Sequence, residues 1–183
     1  KKIVYLDEPI DEWVNITNEN NSTLLEEYYK DNNKYAFSFQ INALISRICQ
    51  IKYLVENESD TIFIMERSIH TDYNVFCKML HSQGFINEID YKIYMRWYNE
   101  FSPSLSIDGF IYLKGSNDLM IENIKKRNRD GEENISKEYV SSLTQFHDDW
   151  LLTEKCDRSK VIVIEQTMNL EQSLYLIKDF IQK

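Results

Sequence analysis

Two short stretches of the sequence place a carboxylate at the point where an apolar segment ends. Asp7-Glu8-Pro9 follows the first of these segments, and Glu66-Arg67-Ser68 follows the second. A carboxylate in such a position can accept a proton, and an arginine beside it can bind an anion. Each stretch alone is a weak signal, because an acid at the end of a strand is often just a solvated surface group.

The apolar segments predict the elements that position these residues. Continuous β-branched and aromatic runs at 3–6, 62–65, 110–113 and 161–164 predict four strands that are covered on both faces. Helical patterns cover about 37–55, 68–82, 88–100, 117–127, 136–153 and 170–181, and the polar residues 15–23 predict a loop before a short helix. Strands that alternate with helices predict an α/β fold, with a parallel sheet, helices on both of its faces and a single domain over residues 1–183. Ligands of such sheets bind at the carboxyl ends of the strands, where the two acidic stretches lie.

The helical pattern at 37–55 has two faces. Its apolar stripe contains Ile41, Leu44, Ile45, Ile48, Ile51 and Val55. Its second face carries Gln40, Ala43 and Arg47, whose spacing of i, i+3 and i+7 points their side chains the same way. An amide and a guanidinium beside a small alanine are poor core residues and suit the wall of a binding site.

Charge and composition narrow the choice of partner. The net charge of −9 argues against nucleic acid, since phosphate contacts need a surplus of Lys and Arg. A local exception is the basic run at 125–129, which is either a solvated helix end or an anion site. No apolar run approaches the roughly 20 residues of a membrane-spanning helix, so no membrane partner is expected. The three cysteines, Cys49, Cys77 and Cys156, predict free, mostly buried thiols.

Four local patterns occur together in one order. They are Glu8-Pro9-Ile10-Asp11-Glu12-Trp13, then Tyr35-Ala36-Phe37-Ser38-Phe39-Gln40 with Arg47, then Glu66-Arg67-Ser68 with Asp72 and Phe76, and finally Arg127-Asn128-Arg129-Asp130-Gly131-Glu132. In this order and spacing, from Glu8 to Trp150, the chain resembles the deoxynucleoside kinase family. The resemblance implies a P-loop-kinase-type sheet. It also implies an enzyme of nucleotide salvage that transfers a phosphoryl group from ATP, or from another nucleoside triphosphate, to the 5′-hydroxyl of a deoxynucleoside.

The resemblance assigns the chemistry to the two acidic stretches. Glu8 matches the catalytic base that takes the 5′-hydroxyl proton, and Arg67 matches the residue that binds this hydroxyl and the incoming phosphate. Glu66 matches the carboxylate that holds Mg²⁺, through water, because Mg²⁺ gives up its hydration reluctantly. The alternatives are a surface acid for Glu8 and an ion pair with Glu66 for Arg67.

A nucleoside site follows from the same comparison. Gln40 matches the residue that reads the base, since an amide donates and accepts at once, and Arg47 with Asp72 is a pair found in kinases of deoxycytidine or purine deoxynucleosides. We therefore expect these substrates to be preferred over thymidine. The remaining contacts that the resemblance implies are Phe39 and Phe76 on the two faces of the base, Trp13, Leu25 and Ala43 in the walls, and Tyr29 with Glu132 at the 3′-hydroxyl.

The resemblance also assigns the donor side. Arg127 and Arg129 match arginines of a lid, expected near 123–135, which closes over the phosphates, and Gly131 lets this segment turn. Asn123 stands where the family usually has a further arginine, with Lys125 or Lys126 as possible substitutes that lack the bidentate fork. Met168, Asn169 and Leu170 match the loop that contacts adenine.

A glycine-rich phosphate loop ending in Gly-Lys-Ser/Thr is not found in the sequence, whose glycines are Gly84, Gly109, Gly115 and Gly131. We therefore expect residues upstream of Lys1 to supply this loop and the central strand of the sheet. Two alternatives remain: a nucleoside-binding pseudokinase, and a nucleoside monophosphate kinase, whose acceptor needs no base. The segment 91–101 suits the interface of a homodimer or a core. A cytoplasmic location is expected, with mitochondria and the cytoplasm of virus-infected cells left open.

Overall fold

The computed structural model of the chain describes residues 1–58, 60–128, 132 and 135–182. It divides into two compact units, Lys1–Ser106 and Ile107–Lys183. Each unit contains one pair of parallel strands with helices around it. This confirms the predicted α/β class, while the single domain over residues 1–183 stays a prediction.

The first unit is built on strands β1 (Lys2–Leu6) and β2 (Thr61–Met65). They pair in parallel from Lys2 opposite Thr61 to Leu6 opposite Met65, so their carboxyl ends lie side by side. Both strands were predicted within one residue at each end. The prediction that β1 is covered on both faces is wrong, because the side chains of Ile3 and Tyr5 are exposed.

Three helices lie between these strands: α1 (Ile10–Val14), α2 (Leu24–Lys30) and α3 (Asn32–Asn57). Thr23 starts α2 through a capping box with Glu26, and the Asp31 carboxylate accepts the Lys34 N–H at the start of α3. The loop at 15–23 is confirmed, and α1 was not predicted.

The face of α3 that is buried differs from the predicted stripe. Leu44, Ile48 and Ile51 are buried as expected, but Ile45 is exposed and Ile41 only half-buried. The side chain of Val55 lies outside the described part of the structure. The most buried positions instead include the polar face, with Gln40, Ala43 and Arg47 almost inaccessible to solvent. This face is therefore part of the interior of the first unit.

The helix predicted at 68–82 consists of three segments: α4 (Ile69–Thr71), a π-helix (Asp72–Cys77) and α5 (Lys78–Ser82). The Ser68 hydroxyl accepts the Thr71 N–H at its start. A π-helical turn contains one residue more than an α-helical turn and often occurs at functional sites. Helix α6 (Glu88–Phe101) and a 3₁₀ turn (Ser102–Ser104) complete the unit.

The second unit pairs β3 (Phe110–Lys114) in parallel with β4 (Val161–Glu165). Around them lie α7 (Asn117–Arg127), α8 (Lys137–Leu151), a 3₁₀ turn (Arg158–Lys160) and α9 (Leu170–Ile181). The side chains of Ser116, Ser136 and Asn169 cap the three α-helices at their N-termini. Trp150 packs edge-on against Phe110, with ring centroids 5.0 Å apart, and joins α8 to the strands.

Within the described residues, no helix is long and apolar enough to cross a membrane. All three cysteines are free thiols, as predicted, but only Cys77 is buried; Cys49 is exposed and Cys156 half-buried.

Candidate functional site

The carboxylate of Glu8 lies between two arginines. Its Oε1 accepts a hydrogen bond of 2.7 Å from Nη2 of Arg47 and one of 2.9 Å from Nη1 of Arg67. The Glu8 side chain is only 5% exposed, which excludes the alternative of a solvated surface acid. Glu8 stands two residues after β1, whose end is adjacent to the end of β2, so the sheet register brings Arg67 to it.

The guanidinium of Arg47 joins three segments of the first unit. Besides Glu8, it donates from Nη1 to the backbone carbonyl of Glu66 at 2.7 Å, and its Nε lies 3.0 and 3.2 Å from the two carboxylate oxygens of Asp72. Its side chain is 1% exposed. A planar fork of five donors suits such a set of acceptors, whereas a lysine could not bind them all in one plane. Helix α3 therefore holds together the ends of both strands and the start of the π-helix.

Arg67 adopts a backbone conformation that is uncommon for a residue with a side chain. Its φ angle is +63°, in the left-handed region between the end of β2 and the helix at Ser68. Among the described residues, Arg67 forms its ion pair with Glu8. The alternative ion pair with Glu66 is not found there. Its guanidinium also lies 4.8 Å from the ring centre of Phe76. Strained backbone of this kind is concentrated at functional sites.

Burial changes the titration of Asp72. Desolvation by burial raises the pKa of this carboxyl from its ordinary 3.8 to about 6. The negative charge of Glu8 also raises this pKa, whereas the positive charges of Arg47 and Arg67 lower it, Arg47 more strongly. With two carboxylates and two guanidiniums, the cluster has no net charge when all four groups are ionised. A cluster of this composition can receive a neutral ligand without leaving an unpaired charge.

Protonation of Asp72 is expected to stabilise the folded protein as the pH falls. Its pKa is higher in the folded chain than its ordinary 3.8, so the folded chain binds this proton more tightly. This proton adds roughly 3 kcal/mol to the free energy of unfolding. The full amount is present below about pH 3.8 and is lost as the pH rises through about 6. Urea unfolding between pH 4.5 and 7.5 should show this slope in the wild type and in the exposed-acid control Asp11→Asn, but not in Asp72→Asn. Parallel curves for wild type and Asp72→Asn would contradict the expectation.

Aromatic side chains surround the cluster on the side of α1 and α2. The Phe39 ring stacks on Tyr28 at 4.6 Å and meets Trp13 edge-on at 5.4 Å, while Trp13 lies 5.6 Å from the guanidinium carbon of Arg47. Leu25 is buried with them. Phe39 thus has aromatic neighbours of its own, and its place on one face of a base stays a prediction. Tyr28 is the residue that sequence reasoning missed, because nothing distinguishes it from the adjacent Tyr29 except its burial.

The amide of Gln40 lies next to this wall, on the same face of α3 as Ala43 and Arg47. Gln40 is almost completely buried. Among the hydrogen bonds within the described part of the chain, none involves its side chain. A buried amide normally has partners, so this group is able to bind a ligand that presents both a donor and an acceptor.

The residues that the resemblance assigns to the donor belong to the second unit. Arg127 binds Glu132 through two hydrogen bonds of 3.1 and 2.7 Å, and Glu132 is buried. Arg129 and Gly131 lie outside the described residues. Asn123, Lys125 and Lys126 are exposed, and Lys126 approaches Glu122 at 3.7 Å.

The remaining predicted contacts of the second unit surround the start of α9. Asn169 caps this helix, Leu170 is exposed, and Met168 is half-buried with its N–H bonded to the carbonyl of Glu165. Tyr29 belongs to the first unit and Glu132 to the second, so their pairing at a 3′-hydroxyl remains a prediction.

A comparison with protein families matches residues 1–183 to the model described as deoxynucleoside kinase. The chain belongs to the deoxynucleoside kinase family. This confirms the resemblance drawn from the four local patterns.

Individual members of the family show the same relationship. The chain is 31% identical over 164 residues to deoxycytidine kinase 2 of Gallus gallus, covering 79% of this chain and 62% of that protein. It is 32% identical over 162 residues to a probable deoxycytidine kinase of fowlpox virus (strain NVSL), covering 86% and 65%. It is 29% identical over 162 residues to mitochondrial deoxyguanosine kinase of Xenopus laevis, covering 79% and 61%. The chain thus spans somewhat less than two thirds of the length of these relatives.

Proposed function

We propose that this protein transfers the terminal phosphoryl group of a nucleoside triphosphate, with ATP as the donor, to the 5′-hydroxyl of a deoxynucleoside. The observation that carries the proposal is the shared oxygen of Glu8, to which both Arg47 and Arg67 donate. It brings together a proton acceptor and a cation that can face a phosphate, which are the two groups that the reaction requires. The product is a deoxynucleoside 5′-monophosphate for nucleotide salvage.

In the proposed reaction, Glu8 accepts the proton of the 5′-hydroxyl. The hydroxyl oxygen forms a bond to the γ-phosphorus, the bond from this phosphorus to the β,γ-bridging oxygen breaks, and a nucleoside diphosphate leaves. Arg67 offsets the negative charge on the transferring group, as cations do in phosphoryl transfer. Arg47 holds Glu8 from the other side and takes no part in the proton transfer.

Glu66 is the proposed carboxylate for Mg²⁺, which would screen charge on the phosphates. It is exposed directly after β2, and its backbone carbonyl is held by Arg47. Within the described residues, no three His, Cys, Asp or Glu side chains are grouped to hold a metal ion. A single carboxylate fits Mg²⁺, which usually keeps several waters and binds through one or two carboxylates together with substrate phosphates.

The face of α3 supports a base preference. Gln40 offers a donor and an acceptor, and the charged pair of Arg47 and Asp72 leaves no apolar space for the methyl group of thymine. Of the relatives named above, one is a deoxycytidine kinase, one a probable deoxycytidine kinase and one a deoxyguanosine kinase. We therefore propose deoxycytidine or a purine deoxynucleoside as the preferred substrate. Within the first unit, the sugar and the base would contact Tyr29, Phe39 and Phe76, with Trp13, Leu25 and Ala43 as walls.

Arg127, Arg129 and the residues Met168, Asn169 and Leu170 are the proposed contacts to the donor. Arg127 already has a carboxylate partner in Glu132, at 2.7 Å. Its guanidinium would have to bind the phosphates as well as Glu132 when the nucleotide binds. An exposed Leu170 suits a loop that contacts the flat ring of adenine.

The experiment that tests this function is a phosphorylation assay of the full-length protein with ATP and each of the four deoxynucleosides. We expect 5′-monophosphates to form, with kcat/KM for deoxycytidine or a purine deoxynucleoside above that for thymidine. Nucleoside binding measured by calorimetry without any turnover would support the pseudokinase instead. Phosphorylation of a monophosphate in place of a nucleoside would support the third alternative.

A homodimer is also proposed, through the outer face of α6. Ile89, Ile93 and Trp97 stand one helical turn apart and are 72%, 40% and 42% exposed. Three large apolar side chains in one row are unusual on a surface that only meets water. A second copy of the chain can cover such a row by symmetry.

Substitution of Ile93 by Asp is expected to shift the protein from dimer to monomer, because a carboxylate in an apolar interface would lose its hydration. Sedimentation velocity at several concentrations measures this. The control is Leu174→Asp, at a similarly exposed apolar position (44%) on α9. A wild-type protein that is monomeric at all concentrations would rule the dimer out.

A further inference from the structure

The guanidinium of Arg67 has two neighbours of different kinds. Nη1 donates to Glu8 at 2.9 Å, and the guanidinium carbon lies 4.8 Å from the centre of the Phe76 ring. The carboxylate fixes one end of the guanidinium, while the Phe76 ring lies beside its central carbon. Arrangements in which a guanidinium lies over an aromatic face are attractive, because the ring carries negative charge on its faces.

Arg67 needs a second point of support for physical reasons. Its side chain is 40% exposed, it begins from a left-handed backbone, and an arginine side chain loses much rotamer freedom when it is held in one place. A single ion pair between Nη1 and Glu8 leaves the guanidinium free to rotate about that contact. The Phe76 ring limits this rotation, because it attracts the guanidinium and occupies the space on one side of it.

Phe76 is suited to give this support. It is buried within the π-helix, which also carries Asp72, the partner of Arg47. The same turn of helix therefore holds one arginine by charge and the other by its ring. Since an aromatic ring has two faces, contact with Arg67 on one side does not exclude contact with a base on the other.

We propose that Phe76 is a positioning residue for phosphoryl transfer: its ring holds the Arg67 guanidinium beside Glu8, in the orientation in which it meets the transferring phosphate. This role is separate from stacking on the nucleobase, and it rests on the proposed function. It means that a residue expected to affect only nucleoside affinity also sets the rate of the chemical step.

The test compares Phe76→Leu with Phe76→Tyr in the full-length protein, each alone and combined with Arg67→Met. We expect kcat at saturating nucleoside to fall about fivefold in Phe76→Leu and to be restored in Phe76→Tyr, which keeps the ring. In the Arg67→Met background, which has no cation for the ring to hold, Phe76→Leu should lower kcat no further. The matched control is Tyr73→Leu, which removes a ring from Lys78, 4.4 Å away on the same helix, and should leave kcat unchanged.

A second measurement does not depend on activity. The side-chain protons of Arg67 should show an upfield ring-current shift in the NMR spectrum of the wild type and of Phe76→Tyr, and lose it in Phe76→Leu. The spectrum also shows whether each variant is folded.

Three outcomes would overturn the inference: a raised KM with unchanged kcat in Phe76→Leu, equal losses in both Arg67 backgrounds, or an Arg67 spectrum that is the same without the ring. A wild-type protein that phosphorylates no deoxynucleoside would overturn the proposed function, and the kinetic role of Phe76 with it. Turnover in the wild type with one of the first three outcomes would overturn the role of Phe76 alone.

Discussion

Substitution of Glu8 by Gln is expected to lower deoxynucleoside phosphorylation by about 10²-fold or more while leaving nucleoside binding largely intact. The amide has the same shape and keeps one oxygen that can accept from Arg47 or Arg67, but it cannot take the hydroxyl proton. Initial rates with deoxycytidine and calorimetric titration of the same nucleoside measure the two effects separately. The loss should therefore appear in kcat.

The neighbouring acid provides the control for this experiment. Asp7 precedes Glu8 and is exposed, so Asp7→Asn makes the same chemical change one residue away. We expect its kcat to equal that of the wild type. Unchanged turnover in Glu8→Gln would remove Glu8 from the mechanism. Because Glu8 is buried between two guanidiniums, Glu8→Gln should also lower the melting temperature, and rates are best compared well below it.

Replacement of Arg47 by Met together with Asp72 by Ala is expected to move the substrate preference towards thymidine. The pair is buried, so its removal leaves apolar space where a methyl group can lie. Space for one methyl or methylene group typically changes selectivity by about 10- to 200-fold. The ratio of kcat/KM for thymidine to that for deoxycytidine measures the change, and a ratio that does not move would contradict the assignment of this pair.

The same substitutions also test the cluster as a unit. Arg47→Met alone leaves two buried carboxylates with only Arg67 and should cost about 3–5 kcal/mol of unfolding free energy. The double variant leaves Glu8 with Arg67, a balanced pair, and should recover part of this loss. The control is Lys114→Met with Asp148→Ala, which removes an ion pair of 2.7 Å in the second unit and should leave the thymidine ratio unchanged.

Much of the fold could be predicted because its signals are local. The strands are continuous apolar runs, and helices α7 and α9 begin and end at the predicted residues, since Ser116 and Asn169 mark their starts as side-chain caps. Helix α1 was missed because five residues are too few to show a period. The π-helix was missed for a related reason: its wider turn follows no pattern that distinguishes it from an α-helix in sequence.

The site could be predicted as a set of residues but not as a network. The resemblance drew attention to Glu8, Arg47, Arg67 and Asp72, and the structure brings them together within the first unit. The bond between Arg47 and Glu8 could not be foreseen, because the two residues are 39 positions apart and the contact depends on how α3 packs on the strand ends. The left-handed backbone of Arg67 has no local signal either, since it is a position where glycine would be expected.

The π-helix between Asp72 and Cys77 has a consequence for the rotational phase of the whole segment. One additional residue in a turn rotates everything downstream by about 100° relative to an uninterrupted α-helix. Met79 and Leu80, which are both completely buried, follow this turn, and Asp72 at its start binds Arg47. Deletion of one residue from the turn would rotate Met79 and Leu80 by about 100° relative to Asp72. The number of residues in this turn therefore matters to the geometry of the site as much as their identities do.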